Sequence, residues 1–356
     1  MANIRALERA DLPAVVALLR DHAGNGVPGA DATDEEILAA MVLEHPWSDA
    51  DLPSLVAVGE DGAVIGFIGA QVRRMVFDGR PIRGVCCTKL VVAPEHRAGA
   101  PGALLMGRLL SGPQDVSWSD SSTDPVVRAW RAFGGHVDHA RAADFMLVLR
   151  LGRWIGSMLS ATARRQGLGR EITPVGALPL RALGERLSRR AGAQRAPGVE
   201  GEDASTASIV EQLPALSRRL RVRVDWDAEQ LDHVFDQIES ADGPVVRRVV
   251  RLSGRPIGWY AYRVRPGGVS TLLHLAALER ASDHVLGELI DHATSVGSAV
   301  LAGRAEPHLE WPLHSRSAVL GFARRPTIRA REPELAACLA TSAGLLTRLD
   351  GEVFVP

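Results

Sequence analysis

The chain has 356 residues, too many for one ordinary hydrophobic core and suited to two domains with a connector. Its 46% hydrophobic and 23% charged residues place it in the globular range, which excludes a collagen-like, disulfide-stapled or wholly disordered chain. A formal net charge of -1 and a pI near 6.8 exclude nucleic-acid binding through bulk positive potential and leave only local patches to consider.

Ile4 to Leu7 reads as a strand, and Asp11 caps a helix whose Val15, Val16, Leu18 and Leu19 recur at helical spacing. After the polar, Gly-rich stretch Gly24 to Asp34, a helix is predicted over Glu35 to Leu43 and a strand over Leu55 to Gly59. Asp61-Gly62 turns the chain into Val64 to Met75, and Asp78-Gly79 turns it again into Ile82 to Val92, since Asp-Gly between β-rich runs is a strong hairpin signal. The pattern becomes helical at Pro101, with Leu104, Leu105, Leu109 and Leu110 as an apolar face. Val116 to Ser119 follows as a strand, Asp124 to Phe133 as a helix, and Phe145 to Leu149 as the strand that closes the set.

From Arg150 to Arg195 ten arginines stand against two glutamates, a local balance of +8 and a basic connector. The acidic, small-residue stretch Gly198 to Ser208 is expected to be a flexible joint. The same grammar then repeats: strand at Arg221 to Asp225, helix at Ala228 to Ile238, and strands at Val245 to Leu252, Ile257 to Val264 and Thr271 to Ala277. A helix at Asp283 to Thr294, a strand at Ala299 to Ala302, a helix at Leu309 to Val319 and a strand at Phe322 to Ala330 complete it. The repeated order predicts an internal duplication. It divides the chain into a first domain over 1–150, a connector over 151–219 and a second domain over 220–356.

Three cysteines, two of them adjacent at Cys86 and Cys87, cannot build a disulfide framework and fit a reducing compartment. No metal-ligand spacing occurs, so no metal is expected. The charged N-terminus lacks an apolar core, and no uncharged run approaches the roughly 18 residues a spanning helix needs, so a cytoplasmic location is expected. Of the 41 basic residues only Lys89 is a lysine, a bias that reads as high-GC coding.

The most informative stretch runs from Leu90 to Leu105, where a strand enters a Gly/Ala-rich turn and an amphipathic helix begins at once. Backbone N–H groups and the positive end of a helix dipole there suit an anion, and small side chains allow close approach. These residues resemble the pyrophosphate loop of the GNAT acyl-CoA-dependent N-acyltransferases, which reads Arg or Gln, two of any kind, Gly, any, Gly or Ala. Arg97, Ala100 and Gly102 stand at its three marked places, with Ala100 replacing the usual Gly and Pro101 removing one N–H.

The resemblance implies an α/β (α+β) fold of two GNAT-like domains, each a mixed, mostly antiparallel twisted sheet flanked by helices, with the second copy degenerate. It implies that Val91, Val92, Arg97, Ala98, Gly99, Ala100, Gly102, Ala103 and Thr123 bind acetyl-CoA or another acyl-CoA as co-substrate. Trp130 falls where many members carry a tyrosine that protonates the departing thiolate, a task an indole cannot perform. The usual glutamate base is also missing from Val85 to Thr88. Cys86, Thr88, Ser119 and Asp120 are the remaining candidates for catalysis, by nucleophilic attack or proton transfer. His45, Trp47, Asp49 and Trp130 are candidates for acceptor contact. In the second half, Leu278 to Asp283 occupies the corresponding loop without a glycine, and Glu279 and Asp283 would repel a pyrophosphate. Leu320-Gly321-Phe322 still matches the family's usual Leu-Gly-Phe before its last strand.

The acceptor is expected to be an amine of a small molecule or peptide. Tandem domains with a dead second loop also resemble the Fem-type aminoacyltransferases, in which case tRNA is the donor's carrier and the basic connector tracks its backbone. A third reading is a non-catalytic module that binds coenzyme A or a membrane surface through Trp154, Ile155, Met158 and Leu159 beside Arg164 and Arg165. The second domain is expected to shape the acceptor pocket or to pair two chains as a homodimer.

Overall fold

A computed structural model describes residues 2–22, 33–150, 196–322 and 324–352. In chain order the elements are β1 (Asn3–Ala6), α1 (Leu12–His22), α2 (Thr33–Val42), β2 (Leu55–Val58), β3 (Val64–Phe77), β4 (Arg80–Val92), α3 (Pro101–Leu110), β5 (Val116–Ser119), α4 (Asp124–Ala132), β6 (His136–Val137) and β7 (Asp144–Val148). They continue with β8 (Val199–Asp203), α5 (Thr206–Leu216), β9 (Val222–Val224), α6 (Ala228–Asp242), β10 (Val245–Leu252), β11 (Arg255–Arg263), β12 (Val269–Ala277), α7 (Ser282–Ser295) and β13 (Val300–Arg304). The last are α8 (Glu310–Ser315), β14 (Val319–Gly321), β15 (Thr327–Ala330) and α9 (Pro333–Leu339). The helix expected over Leu309 to Val319 is therefore shorter, and its last residues turn into β14.

Two compact units form, each around a mixed, mostly antiparallel sheet. The first comprises Met1–Ala142, Arg219–Gly243 and Arg324–Pro356, and its sheet runs β1-β2-β3-β4-β5-β15-β6 with β9 added on β3. The second comprises Ala143–Arg218 and Pro244–Ala323, with the order β14-β7-β13-β12-β11-β10-β8. Both central hairpins turn on the same device. Asp78-Gly79 and Ser253-Gly254 each place two consecutive residues at positive φ, the two-residue turn whose twist matches the strands it joins.

These units depart from a division at 150 and 220, because the closing strands are exchanged. β7, expected to finish the first sheet, lies antiparallel to β13 in the second unit, and β15, from the end of the second pass, lies antiparallel to β5 in the first. A short strand with alternating burial satisfies either free edge equally well, so its pattern predicts that it pairs but not with which strand. The strand and helix expected to open the second copy, β9 and α6, also belong to the first unit, with β9 paired to the tip of β3.

After β7 the second unit continues with β8, inside the stretch expected to be a flexible joint. The reason is charge complementarity. β8 pairs with the arginine-rich β10, where Arg251 Nε donates to Glu202 at 2.7 Å and Arg248 pairs with Asp203. Acidic composition that reads as a loop is here the counterpart of a basic strand. Residues 151–195 of the basic connector lie outside the described residues, and with them Trp154, Ile155, Met158 and Leu159. Both the tRNA and the membrane-surface readings rest on that stretch.

In the first unit α3 buries Leu105, Met106, Leu109 and Leu110 in a core with Ala70, Val72, Val85, Cys87 and Trp130. In the second, Val285, Leu286, Leu289 and Ile290 of α7 pack with Tyr260, Tyr262, Leu275 and Leu301. Each such side chain contributes about 1.5–3 kcal/mol. Among the described residues no helix is long and apolar enough to cross a membrane, and no group of three or more His, Cys, Asp or Glu could hold a metal ion.

Candidate functional site

β4 and β5 run parallel for only three rungs, Gly84 with Val116, Val85 with Ser117 and Cys86 with Trp118. β5 then ends at Ser119 while β4 continues to Val92, held on its other side by β3. The two strands part, and the β5-side edge of β4 beyond Cys86 has no strand partner among the described residues. The register of β4 against β3 slips between Phe67 and Gly69, and Lys89 occupies the resulting bulge at φ 55°. Left-handed backbone there costs a side-chain-bearing residue roughly 1–2 kcal/mol.

At the end of β4, Ala93 N–H bonds to Ile65 O at 3.0 Å, Pro94–Gly99 form a single exposed 3-10 helix, and Ala100 turns at φ 57° into α3. The helix starts at Pro101, as the sequence predicts, and the missing proline donor is one that a first helical residue does not need. The N–H groups of His96, Ala100, Ala103 and Leu104 bond to carbonyls of this same stretch, so the cradle is less open than a plain Gly/Ala turn. Gly102 N–H has no acceptor among the described residues. A Cβ on Gly102 would meet only Val92 Cγ2 at 3.4 Å, and one on Gly99 only Pro101 Cδ at 4.0 Å. The chain's own packing therefore requires glycine at neither position, and the space over both is available to a ligand. Arg97 folds back, its Nε donating to Val92 O at 3.2 Å, while Ala98 and Thr123 are exposed beside the opening.

Where the strands part, a group of buried polar residues converges from distant parts of the chain. Ser119 Oγ donates to Glu352 Oε1 at 3.0 Å, and Glu352 N–H donates to Asp120 Oδ2 at 2.7 Å. A Cβ on Gly351 would lie 2.0 Å from that same Asp120 oxygen, so only glycine lets the C-terminal backbone come this close. One residue further back, Asp350 accepts from Thr347 Oγ1 at 2.8 Å and from Trp226 Nε1 at 3.1 Å. Arg73 is 3% exposed; its Nε donates to Asp350 O at 2.9 Å and its Nη2 to Gln71 Oε1 at 3.2 Å. Burial raises the Asp350 carboxyl above its ordinary range against the pull of its hydrogen bonds.

Ser119, Asp120 and Cys86 are thus brought together, but the surroundings of Cys86 disfavour the thiolate that a nucleophile needs. Complete burial first, then the charges of Asp120 and Glu352, push its thiol well above the ordinary range and keep it protonated. Burial raises Cys87 in the same way. Thr88 is buried against Gly69, where an added Cβ would lie 2.7 Å from its methyl group. Trp130 is fully enclosed in the core and cannot touch an acceptor. His45 is buried, its Nδ1 lacks a hydrogen-bond partner among the described residues, and burial, Arg73 and His233 together lower its pKa to about 3. Trp47 stacks on Trp226 at 5.3 Å and donates from Nε1 to Asp227 at 2.7 Å. With Asp49, which pairs with Arg83 at 3.2 Å, Trp47 lines a cleft of about 570 Å³ that Val72, Arg74, Arg83 and Asp115 help to enclose.

Sequence reasoning missed Arg73, Gln71, Asp350 and Glu352. Gln71 and Arg73 carried a signal, two polar residues on one face of an otherwise apolar strand. The acids at the chain's end carried none.

The sequence matches no family model and no curated protein. Three solved structures share its fold. One is a conserved protein of unknown function from Enterococcus faecalis V583, titled a probable N-acyltransferase, at a TM-score of 0.59 and 11% identity over 93% of this chain and 73% of that one. A GCN5-related N-acetyltransferase from Kribbella flavida aligns at 0.57 and 16% identity over 93% and 71%, and one from Anabaena variabilis ATCC 29413 at 0.57 and 11% over 93% and 73%. The parted parallel strands, the loop that leads into α3 and the repetition of both in a second unit are accordingly those of the GCN5-related N-acetyltransferase fold, which this chain carries as two GNAT-like sheets in tandem.

Proposed function

We propose that the first unit transfers an acyl group from an acyl-CoA to an amine of a small molecule or peptide. The observation that carries this reading is the opening between β4 and β5, with free backbone edge along one side, glycines without packing duties at its mouth and a buried carboxylate at its apex. Gly102 N–H, the positive end of α3 and Arg97 suit the pyrophosphate, and the edge from Thr88 to Val92 can take the pantetheine arm as an added strand.

Glu352 is placed to accept the proton of an ammonium acceptor, because Ser119 Oγ orients one of its oxygens and Asp120 fixes its backbone. Asp120, Ser119 and Glu352 then do what Cys86 and Thr88 do not. The departing group is a thiolate, whose thiol has a pKa near 8.5 in simple cases, so it leaves near neutral pH without a strong acid. That accounts for a site with a tryptophan, and no tyrosine, at position 130. The cleft beside Trp47 and Asp49 is the proposed acceptor entry. Calorimetry with acetyl-CoA and longer acyl-CoAs, followed by thiol release against a panel of amines, tests the whole reading. Failure of every acyl-CoA to bind would sink it.

A further inference from the structure

A chain that uses arginine for every basic position but one keeps its single lysine, Lys89, at the bulge of β4. Coding bias favours arginine here as everywhere, and the left-handed backbone at φ 55° favours glycine or asparagine, so neither composition nor conformation accounts for a lysine. Lys89 lies three residues beyond the last parallel rung at Cys86, on the stretch of β4 whose β5-side edge has no strand partner among the described residues. It is half-buried, and among the described residues its ammonium has no hydrogen bond or ion pair within contact distance. Burial acts most strongly on it, and the charge of Glu352, the carboxylate at the apex, acts against that burial.

We propose that Lys89 is itself an acyl acceptor, so that the first unit acylates its own Lys89 when acyl-CoA is bound and no external amine is present. This rests on the acyl-CoA reading above. The step balances without another reagent. Glu352 takes one proton from the Lys89 ammonium, the neutral Nζ attacks the thioester carbonyl carbon, the new C–N bond forms and the C–S bond breaks. Coenzyme A leaves with the sulfur electron pair and is protonated by solvent or by Glu352, and a second Nζ proton is released, leaving a neutral amide. Burial supports the first event, since it lowers the Lys89 pKa and Glu352 only partly restores it. The product removes the Lys89 charge, which makes the modification a record of donor bound without acceptor.

Having one lysine makes the experiment decisive. The full chain is incubated with acetyl-CoA, binding is followed by calorimetry in the same preparation, and the product is read by intact-protein and peptide mass spectrometry. The expected result is a single acetyl group mapped to Lys89, stable to hydroxylamine as an amide is and a thioester is not. It should be absent from Lys89→Arg and should form at least about tenfold more slowly in Gly102→Glu, whose carboxylate opposes the pyrophosphate. Acetyl-CoA that binds while the Lys89 peptide stays unmodified overturns self-acylation and leaves the donor reading intact. Equal rates in Gly102→Glu and the parent also overturn it, because the adduct is then solution chemistry. If acetyl-CoA does not bind at all, the donor reading fails and takes this inference with it.

Discussion

The two units build the same opening and keep it for different ends. In the second unit β12 and β13 run parallel for three rungs from Val269 with Val300 to Thr271 with Ala302, and β12 then continues to Ala277, as β4 does beyond Cys86. Both strands end on equivalent bonds, Ala93 N–H to Ile65 O and Leu278 N–H to Ile257 O. Both then pass through a left-handed residue, Ala100 at φ 57° and Arg280 at φ 65°, directly before the helix region. The differences lie between these landmarks. The first unit inserts the Pro94–Gly99 helical turn, whereas the second goes from Leu278 to Arg280 with no glycine. Arg316 pairs with the Asp283 carboxylate and donates from Nη2 to Asp283 O at 3.1 Å, so a cation of the chain already occupies the start of α7. His308 Nε2 donates to Leu275 O at 3.0 Å, which closes the strand edge on which a ligand arm would pair. The counterpart carbonyl, that of Leu90, receives no side-chain donor among the described residues. A sheet of this kind can therefore keep its shape while a shortened loop and one inserted side chain cover the edge that the other unit leaves open.

The sharpest way to break this comparison is to remove the carboxylate at the apex of the first opening. Glu352→Gln keeps an acceptor for Ser119 Oγ and the backbone bond to Asp120, so the melting temperature should barely move. Turnover should fall by about 100-fold or more at neutral pH, with KM for the acyl-CoA little changed, and should recover partly as alkaline pH neutralises the amine without help. An unaffected kcat would show that Glu352 is merely structural.

Donor binding separates the units next. Gly102→Glu should weaken acyl-CoA binding at least about tenfold, roughly 1.4 kcal/mol, while the helix dipole tolerates the new carboxylate and stability changes little. His308→Ala, which unblocks Leu275 O, should leave the binding stoichiometry by calorimetry at one, because the second loop still lacks its donors. A second binding event would mean that His308 alone silences that unit.

Acid should separate them too. His45 in the first unit is lowered to about 3, whereas in the second His274 is lowered to about 3 and His308 to about 4, each chiefly by burial. A histidine with a depressed folded pKa contributes stability that is complete above its unfolded value near 6.5 and is lost as pH falls toward the folded value. One such group costs about 1.4 kcal/mol per pH unit below 6.5, two cost about twice that, and His292 of the second unit, also lowered chiefly by burial, adds in the same direction. Asp350, whose pKa is raised, works in the opposite direction in the first unit, stabilising it as pH falls. Hydrogen exchange at pH 5.5 against pH 7 should show amides of the second unit losing more protection than those of the first.

Much of this fold was legible because local signals agreed. Asp78-Gly79 and Ser253-Gly254 mark both hairpins, Pro101 marks the helix start, and Val116–Ser119 and Val245–Leu252 appear where the pattern puts them. What was not legible depends on partners chosen across long separations. Nothing in Phe145 to Leu149 or Thr327 to Ala330 says which parallel strand it will lie beside. The same limit hid the site's apex. Ser119 and Asp120 stood out at the end of a strand, but their partner Glu352 is more than 230 residues away and joins them only because Gly351 lets the backbone reach Asp120.

The smallest expected effect concerns Cys86 and Cys87, the pair that sequence alone makes most tempting as an acyl carrier. Both thiols are buried, and both are held protonated, Cys86 beside two carboxylates. A covalent route through either would require a thiolate in the least favourable place for one. Replacing both with Ala removes two sulfurs from β4, which should cost about 1–3 kcal/mol of stability through small cavities, and should leave kcat within about twofold of the parent below the melting transition. Intact-mass analysis of the parent mixed with acyl-CoA should find no hydroxylamine-labile adduct. If instead the double variant is folded and inert, and the parent carries a labile acyl group on β4, then the opening works by a relay through sulfur, and Glu352 serves to activate that thiol and not the acceptor amine.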